Sequence, residues 1–301
     1  MLAHVGGPVF APLQLAPIAL AAILYAVRVR ELARRGRPVP GWRQGCWYGG
    51  LALIFVTLAS PLARIAERLF LAHMAEHLLL ADLGALLLVL GLTGPILQPV
   101  LRVRALDRLR VLSHPLVALP LWAINLYVWH LDALYVGAVR HPALHALQHA
   151  CFVGLGVAMW MPLFGPLPKP AWFGNLAKLV YIIAVRLTGA ILGNVLVWSS
   201  AVLYPGYAGD RGFGITAQQD QNVAGAIMMV EGSLLTIGLF CWLFLRTARE
   251  GEERQALLDL AAQRGVDLSD RRAARAVAAG RGAELRRRLE EEASESLTPG
   301  R

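Results

Sequence analysis

The chain has 301 residues, of which 56% are hydrophobic and 16% charged, with a formal net charge of +9. Soluble domains carry about a quarter charged residues, so this composition excludes one and places the chain in a lipid bilayer. Residues 247–301 hold eleven Arg against eleven Asp and Glu, so the whole excess sits in residues 1–246, where it reads as loop charge that sets topology and implies no nucleic-acid partner.

Seven apolar stretches follow in chain order, at about 11–28, 46–63, 70–92, 112–136, 143–163, 174–200 and 222–246. Each is long enough to cross roughly 30 Å of hydrocarbon at 1.5 Å per residue. Backbone groups in lipid must be satisfied within their own segment, so the expected fold is all-α, a polytopic bundle of seven transmembrane helices in residues 1–246. Beyond Arg246 the sequence turns Arg/Glu/Ala/Leu-rich, and residues 247–301 are expected to form a charged cytoplasmic tail, helical or partly disordered, without chemistry of its own. Cys46, Cys151 and Cys241 lie far apart and form no CxxC, which implies neither a disulfide framework nor a thiolate metal site.

Basic loop residues orient the bundle. With the N-terminus outside and the C-terminus inside, thirteen Lys and Arg between Arg28 and Arg246 fall on the cytoplasmic side, against Arg64, Arg68, Arg140 and Arg211 outside. Residues 1–10 have no basic n-region, so the first stretch is read as an anchor, with no cleaved signal peptide.

This topology gathers polar residues at the outer end. The third stretch opens with His73, Glu76 and His77; the fourth closes with Trp129, His130 and Asp132; the fifth opens with His141, His145, Gln148 and His149. The seventh opens with Asp220, Gln221, Met228, Met229 and Glu231. With His4, seven of the eight histidines map outward, and only His114 maps inward. His73 and His77 share a helical face, His145 and His149 repeat that spacing, and His141 extends their stripe by a turn. Two such pairs on neighbouring helices can surround one metal ion. The expected ligands are His73, His77, His145 and His149, with His130 and Met228 next; imidazole suits copper, zinc and iron, and a thioether favours Cu(I). Deeper in the bilayer, Arg186 and Asp82 reach matched depth and are expected to pair, with Glu231 as competing partner. Asn125 and Asn194 are expected to bond between helices, and Trp42, Trp47, Trp129, Trp172 and Trp198 to lie at the interfaces.

These residues resemble the CtaG kind of cytochrome c oxidase assembly factor over about residues 55–235. The matching pieces, in order, are Ser60-Pro61, His73-Met74-Ala75-Glu76-His77, Leu90-Gly91-Leu92-Thr93-Gly94-Pro95, Trp129-His130 with Tyr135, and His145-Ala146-Leu147-Gln148-His149. Tyr204-Pro205-Gly206-Tyr207 and Asp220-Gln221 leading to Ala224-Gly225 and Met228 complete the set. The resemblance implies a multi-pass protein of the bacterial plasma membrane that helps build a haem–copper oxidase and takes part in copper delivery. Its partners would be an oxidase subunit and a periplasmic copper donor, and it would not be an enzyme. The family is expected to carry an aromatic after the methionine, where this chain has Met229, a second thioether.

Two other readings compete. His73-Met74-Ala75-Glu76-His77 also fits the HxxEH pattern of a membrane zinc hydrolase, in which Glu76 would activate water. Cross-helix histidine pairs also suit haem, which a Soret band would reveal.

Overall fold

The computed structural model describes residues 12–103, 108–207 and 213–296, and every element among them is helical. His4 of the histidine set and Arg104 and Arg211 of the topology count lie outside the described residues. Helices α1 (Pro12–Arg34) and α2 (Gly41–Ala59) open the chain, followed by the short α3 (Pro61–Ala66). Helix α4 (Phe70–Gly91) carries a π-helical turn over Leu79–Gly84. Helix α5 (Gly94–Leu101) starts behind Thr93, whose hydroxyl accepts from the Ile96 N–H. A 3-10 turn (Arg108–Ser113) leads into α6 (Pro115–Trp129), α7 (Asp132–Arg140), α8 (Pro142–Phe164), α9 (Asn175–Trp198) and α10 (Ala217–Gln263).

Among the described residues, α4, α8, α9 and α10 are long and apolar enough to cross a membrane, which makes this a multi-pass membrane protein. A fifth span exists if α6 and α7, bent by 75°, count as one broken span. Helix α2 falls short because it opens with Gly41-Trp42-Arg43-Gln44 before its apolar run from Leu51. The bend in the fourth stretch arises where His130 N–H and Leu131 N–H fold back to the Tyr127 and Val128 carbonyls, three residues earlier. Asp132 then restarts the helix with a carboxylate in its first turn, where the macrodipole favours one.

The elements pack through apolar stripes and small residues. Leu51 and Ile54 of α2 meet Leu80 and Leu88 of α4, with Val153 and Val157 of α8 against them. A Cβ at Gly156 of α8 would collide with the Ala81 carbonyl, so only glycine lets α8 approach the π-turn this closely. Gly225 of α10 similarly lies where a Cβ would stand 2.6 Å from the Gly193 carbonyl of α9. Val180, Ile183, Leu187, Ile191 and Val195 form an uncovered apolar stripe on α9 at helical spacing, the surface lipid would cover.

Asp82 projects from the π-turn to within 2.8 Å of Arg186 Nη2, and Glu231 lies 4.0 Å from Nη1, so the expected pair forms with the expected competitor beside it. The Trp160 indole donates to the Asp82 carbonyl at 3.0 Å, and the Arg186 guanidinium lies 5.4 Å from the Trp160 ring centre. The asparagines differ from expectation. Asn194 Nδ2 donates to Ala190 O of its own helix, and Asn125 Nδ2 is buried without a hydrogen-bond partner among the described residues. Trp129 is buried within the protein.

The chain divides into compact units at Thr236/Ile237. Within the second, α11 (Asp270–Ala278) and α12 (Gly282–Ser296) join the end of α10 around Leu257, Ala261, Leu268, Val277, Leu285 and Leu289. Among the described residues this segment is helical, as one of the expected alternatives had it, and it has an apolar core.

Candidate metal centre

The site is built where α4 and α8 begin. The first N–H groups of a helix have no partner in their own helix. In α4 two of them are taken by a residue 150 positions away: Phe70 N–H and Leu71 N–H donate to the two Asp220 carboxylate oxygens, each at 2.8 Å. The charge also complements the helix dipole. Gln221 holds the adjoining loop by accepting from Leu203 N–H at 2.7 Å and donating to Ala201 O at 3.1 Å. The α4 start is thereby tied to α10 and to the 199–207 segment.

On that anchored end four imidazoles converge. The rings of His73 and His77 are 4.3 Å apart by centroid, those of His145 and His149 4.2 Å, and the cross-helix pairs His73–His145 and His77–His149 both 5.6 Å. His73, His77 and His149 are buried, and His145 is half-buried. Two groups of potential ligand atoms lie within 4.8 Å of one another: His73, His77 and His145, and Glu76, His145 and His149. Two nitrogens bound at about 2.0–2.1 Å to one ion stand at most roughly 4.2 Å apart, so side-chain shifts below an ångström close either group. The residues fit a metal on a second ground. His73 Nε2, both ring nitrogens of His77 and His145 Nε2 are buried and have no hydrogen-bond partner among the described residues. Unsatisfied buried polar atoms are costly, and an ion would satisfy several at once.

The other expected ligands fall into place differently. His130 sits at the α6/α7 bend with Nδ1 2.6 Å from Leu126 O. A carbonyl only accepts, so Nδ1 carries the hydrogen and the lone pair is on Nε2, which is buried and has no hydrogen-bond partner among the described residues. The His130 ring is 6.4 Å from Phe152, which packs 4.4 Å from His77, so it lies one aromatic ring from the cluster. Met228 is buried against α9, its Cβ 3.6 Å from where a Gly193 Cβ would stand. His141 is exposed at the α8 N-cap and joins neither ligand group, which ends the histidine stripe at His145.

Glu76, the water-activating residue of the HxxEH reading, has its carboxylate 4.0 Å from His149 Nε2 and forms one potential ligand group with His145 and His149.

Aromatic rings wall the cluster. His73 lies 5.1 Å from Tyr135, and Phe70 stacks on Tyr204 at 4.7 Å. The Tyr204 hydroxyl donates to His130 O at 2.7 Å. Burial, with the Asp132 charge adding to it, holds that hydroxyl above the usual tyrosine range, so it stays a donor.

The family model described as cytochrome c oxidase caa3 assembly factor (Caa3_CtaG) matches residues 23–250. No curated protein and no solved structure matches the chain.

Proposed function

The chain belongs to the cytochrome c oxidase caa3 assembly factor family, and we propose that within oxidase assembly it binds copper as Cu(I) and hands it to an oxidase subunit in the same bilayer. The observation that carries this reading is the convergence of His73, His77, His145 and His149, in which buried ring nitrogens of His73, His77 and His145 have no hydrogen-bond partner among the described residues. His130 Nε2 is the nearest further ligand, and Met228 or Met229 supplies a soft donor as copper moves on. The half-buried His145 is the point of entry from a periplasmic donor. Copper is cargo here, so the protein acts as a metallochaperone and not as an enzyme, in the plasma membrane of a bacterium.

The topology that serves this role has seven spans in residues 1–246 with the N-terminus and the histidines outside, and residues 247–301 in the cytoplasm. Leu20, Ile23, Leu24 and Val27 leave an exposed apolar stripe on α1, which supports a lipid-facing helix despite the charges at its end. The broken α6/α7 pair then serves as one span whose bend carries His130.

A second reading is favoured by the group of Glu76, His145 and His149, because a mixed nitrogen and oxygen set suits zinc. Metal analysis of protein purified from copper-replete, zinc-containing cells separates the two. Copper at one per chain, lost in the His73→Ala/His149→Ala variant, supports the copper reading; zinc at one per chain replaces it.

A further inference from the structure

The histidine cluster contains two ligand groups that overlap in one residue. His73, His77 and His145 make the first and Glu76, His145 and His149 the second, and within each the potential ligand atoms lie within 4.8 Å of one another. The first offers three nitrogens and no charge. The second offers two nitrogens and a carboxylate oxygen. Both are built from α4 and α8 alone, so neither needs a residue from a third element.

The groups suit different ions. Three neutral imidazoles cancel none of a cation's charge, so in a buried site they favour monovalent Cu(I) over a divalent ion. Two imidazoles with one carboxylate are a zinc set, and the carboxylate cancels one of the two charges. Glu76 is buried, its Oε2 has no hydrogen-bond partner and no Lys or Arg pairs with it among the described residues. A buried carboxylate without a counter-ion is costly, and a divalent cation between Glu76 and His149 offsets that cost. Their 4.0 Å separation is one that a single ion closes with bonds of about 2.0–2.2 Å to each.

His145 decides whether both positions fill at once. A neutral imidazole has one lone pair, because its other ring nitrogen carries the hydrogen, so His145 ligates one ion at a time.

We propose that the cluster is two overlapping metal positions, one for Cu(I) on His73, His77 and His145 and one for a divalent cation of the zinc kind on Glu76, His145 and His149, and that zinc thereby excludes copper. The first position rests on the copper reading above. The second makes Glu76 the residue that decides between the two ions, and zinc bound there holds back copper loading.

The test is metal titration of the full chain in detergent, without oxygen and with ascorbate so that copper stays Cu(I), each metal supplied from a chelator of known affinity. Wild type should bind one Cu(I) or one Zn(II), and Zn(II) should raise the apparent Kd for Cu(I) in proportion to its concentration. Glu76→Gln should weaken Zn(II) by at least about tenfold, the cost of losing even an outer partner of a ligand, and leave Cu(I) unchanged. His77→Ala should do the reverse, and His145→Ala should weaken both. The competition in wild type needs no variant, so it stands as the test if the substituted proteins do not accumulate. Wild type that binds both ions together, or a Glu76→Gln variant whose Zn(II) affinity is unchanged or falls along with that for Cu(I), overturns the two positions and leaves the copper reading in place. Wild type that binds no Cu(I) overturns that reading and this inference with it.

Discussion

Asp220 reaches across the fold to cap the helix on which His73 and His77 sit, so it acts on the cluster without touching it. Asp220→Ala leaves two helix N–H groups unsatisfied and should cost about 1–3 kcal/mol, seen as a lower Tm in detergent. Copper affinity should fall with it, because the α4 start loses its anchor. If stability and affinity both match wild type, the cap does not hold the site. His141 gives the opposite expectation. It lies on the histidine stripe of the sequence but is exposed, so His141→Ala should leave copper stoichiometry unchanged, and loss of half the metal or more would place it in the site. The paired histidines were legible because spacing of four on a helix dictates a shared face. Asp220 was legible as a polar residue at the same end and as a piece of the family resemblance, and not as a cap, since no local pattern tells which helix a carboxylate 150 residues away will cap.

Among the elements, α4 shows where local pattern stops being informative. Its π-turn has no proline or glycine at its start and arises where Asp82 meets Arg186 and Gly156 lets α8 press on Ala81, all long-range contacts. The bend between α6 and α7 likewise has no proline at His130–Leu131. Gly154 and Gly156 provide a test on one helix. Alanine is the better helix former at both, yet nothing lies within 4 Å of a Cβ at Gly154 while one at Gly156 would strike backbone. Gly154→Ala should keep or slightly raise the Tm, and Gly156→Ala should lower it; equal effects would mean that α8 and the π-turn are not in close contact. The Arg186–Asp82 pair was legible from matched depth. Removing one partner of a buried pair costs about 3–5 kcal/mol, whereas joint replacement by leucine is milder. With Glu231 4.0 Å from Arg186, Asp82→Leu should reduce membrane abundance less than Arg186→Leu, because the guanidinium keeps a carboxylate. A joint variant less abundant than either single one contradicts the pairing.

For the whole molecule, composition was enough to specify a helical membrane protein, and basic loop residues the proposed orientation. The number of spans was less legible at two places: α2 mixes its apolar run with charge and glycine, and the fourth stretch is bent by 75° between α6 and α7. Helices were legible beyond residue 247, but their apolar core was not, because its residues are sparse among arginines and glutamates and come together only through α11 and α12. The orientation is checked in a background without Cys46, Cys151 and Cys241. An impermeant thiol reagent on whole cells should label Ser200→Cys and not Arg35→Cys; the reverse pattern inverts the topology and removes the histidines from the periplasmic side.

Copper delivery by this chain requires His77 as a ligand and tolerates the loss of its neighbour Glu76. The most direct measurement compares copper stoichiometry and oxidase activity for His77→Ala and Glu76→Gln side by side, each scaled to its own abundance in the membrane. His77→Ala should lose bound copper and oxidase activity while the protein itself accumulates. Glu76→Gln should be much milder, because a copper carrier needs no base to activate water. Wild-type copper and oxidase activity in His77→Ala, or inactivity of Glu76→Gln with its metal still bound, would contradict it.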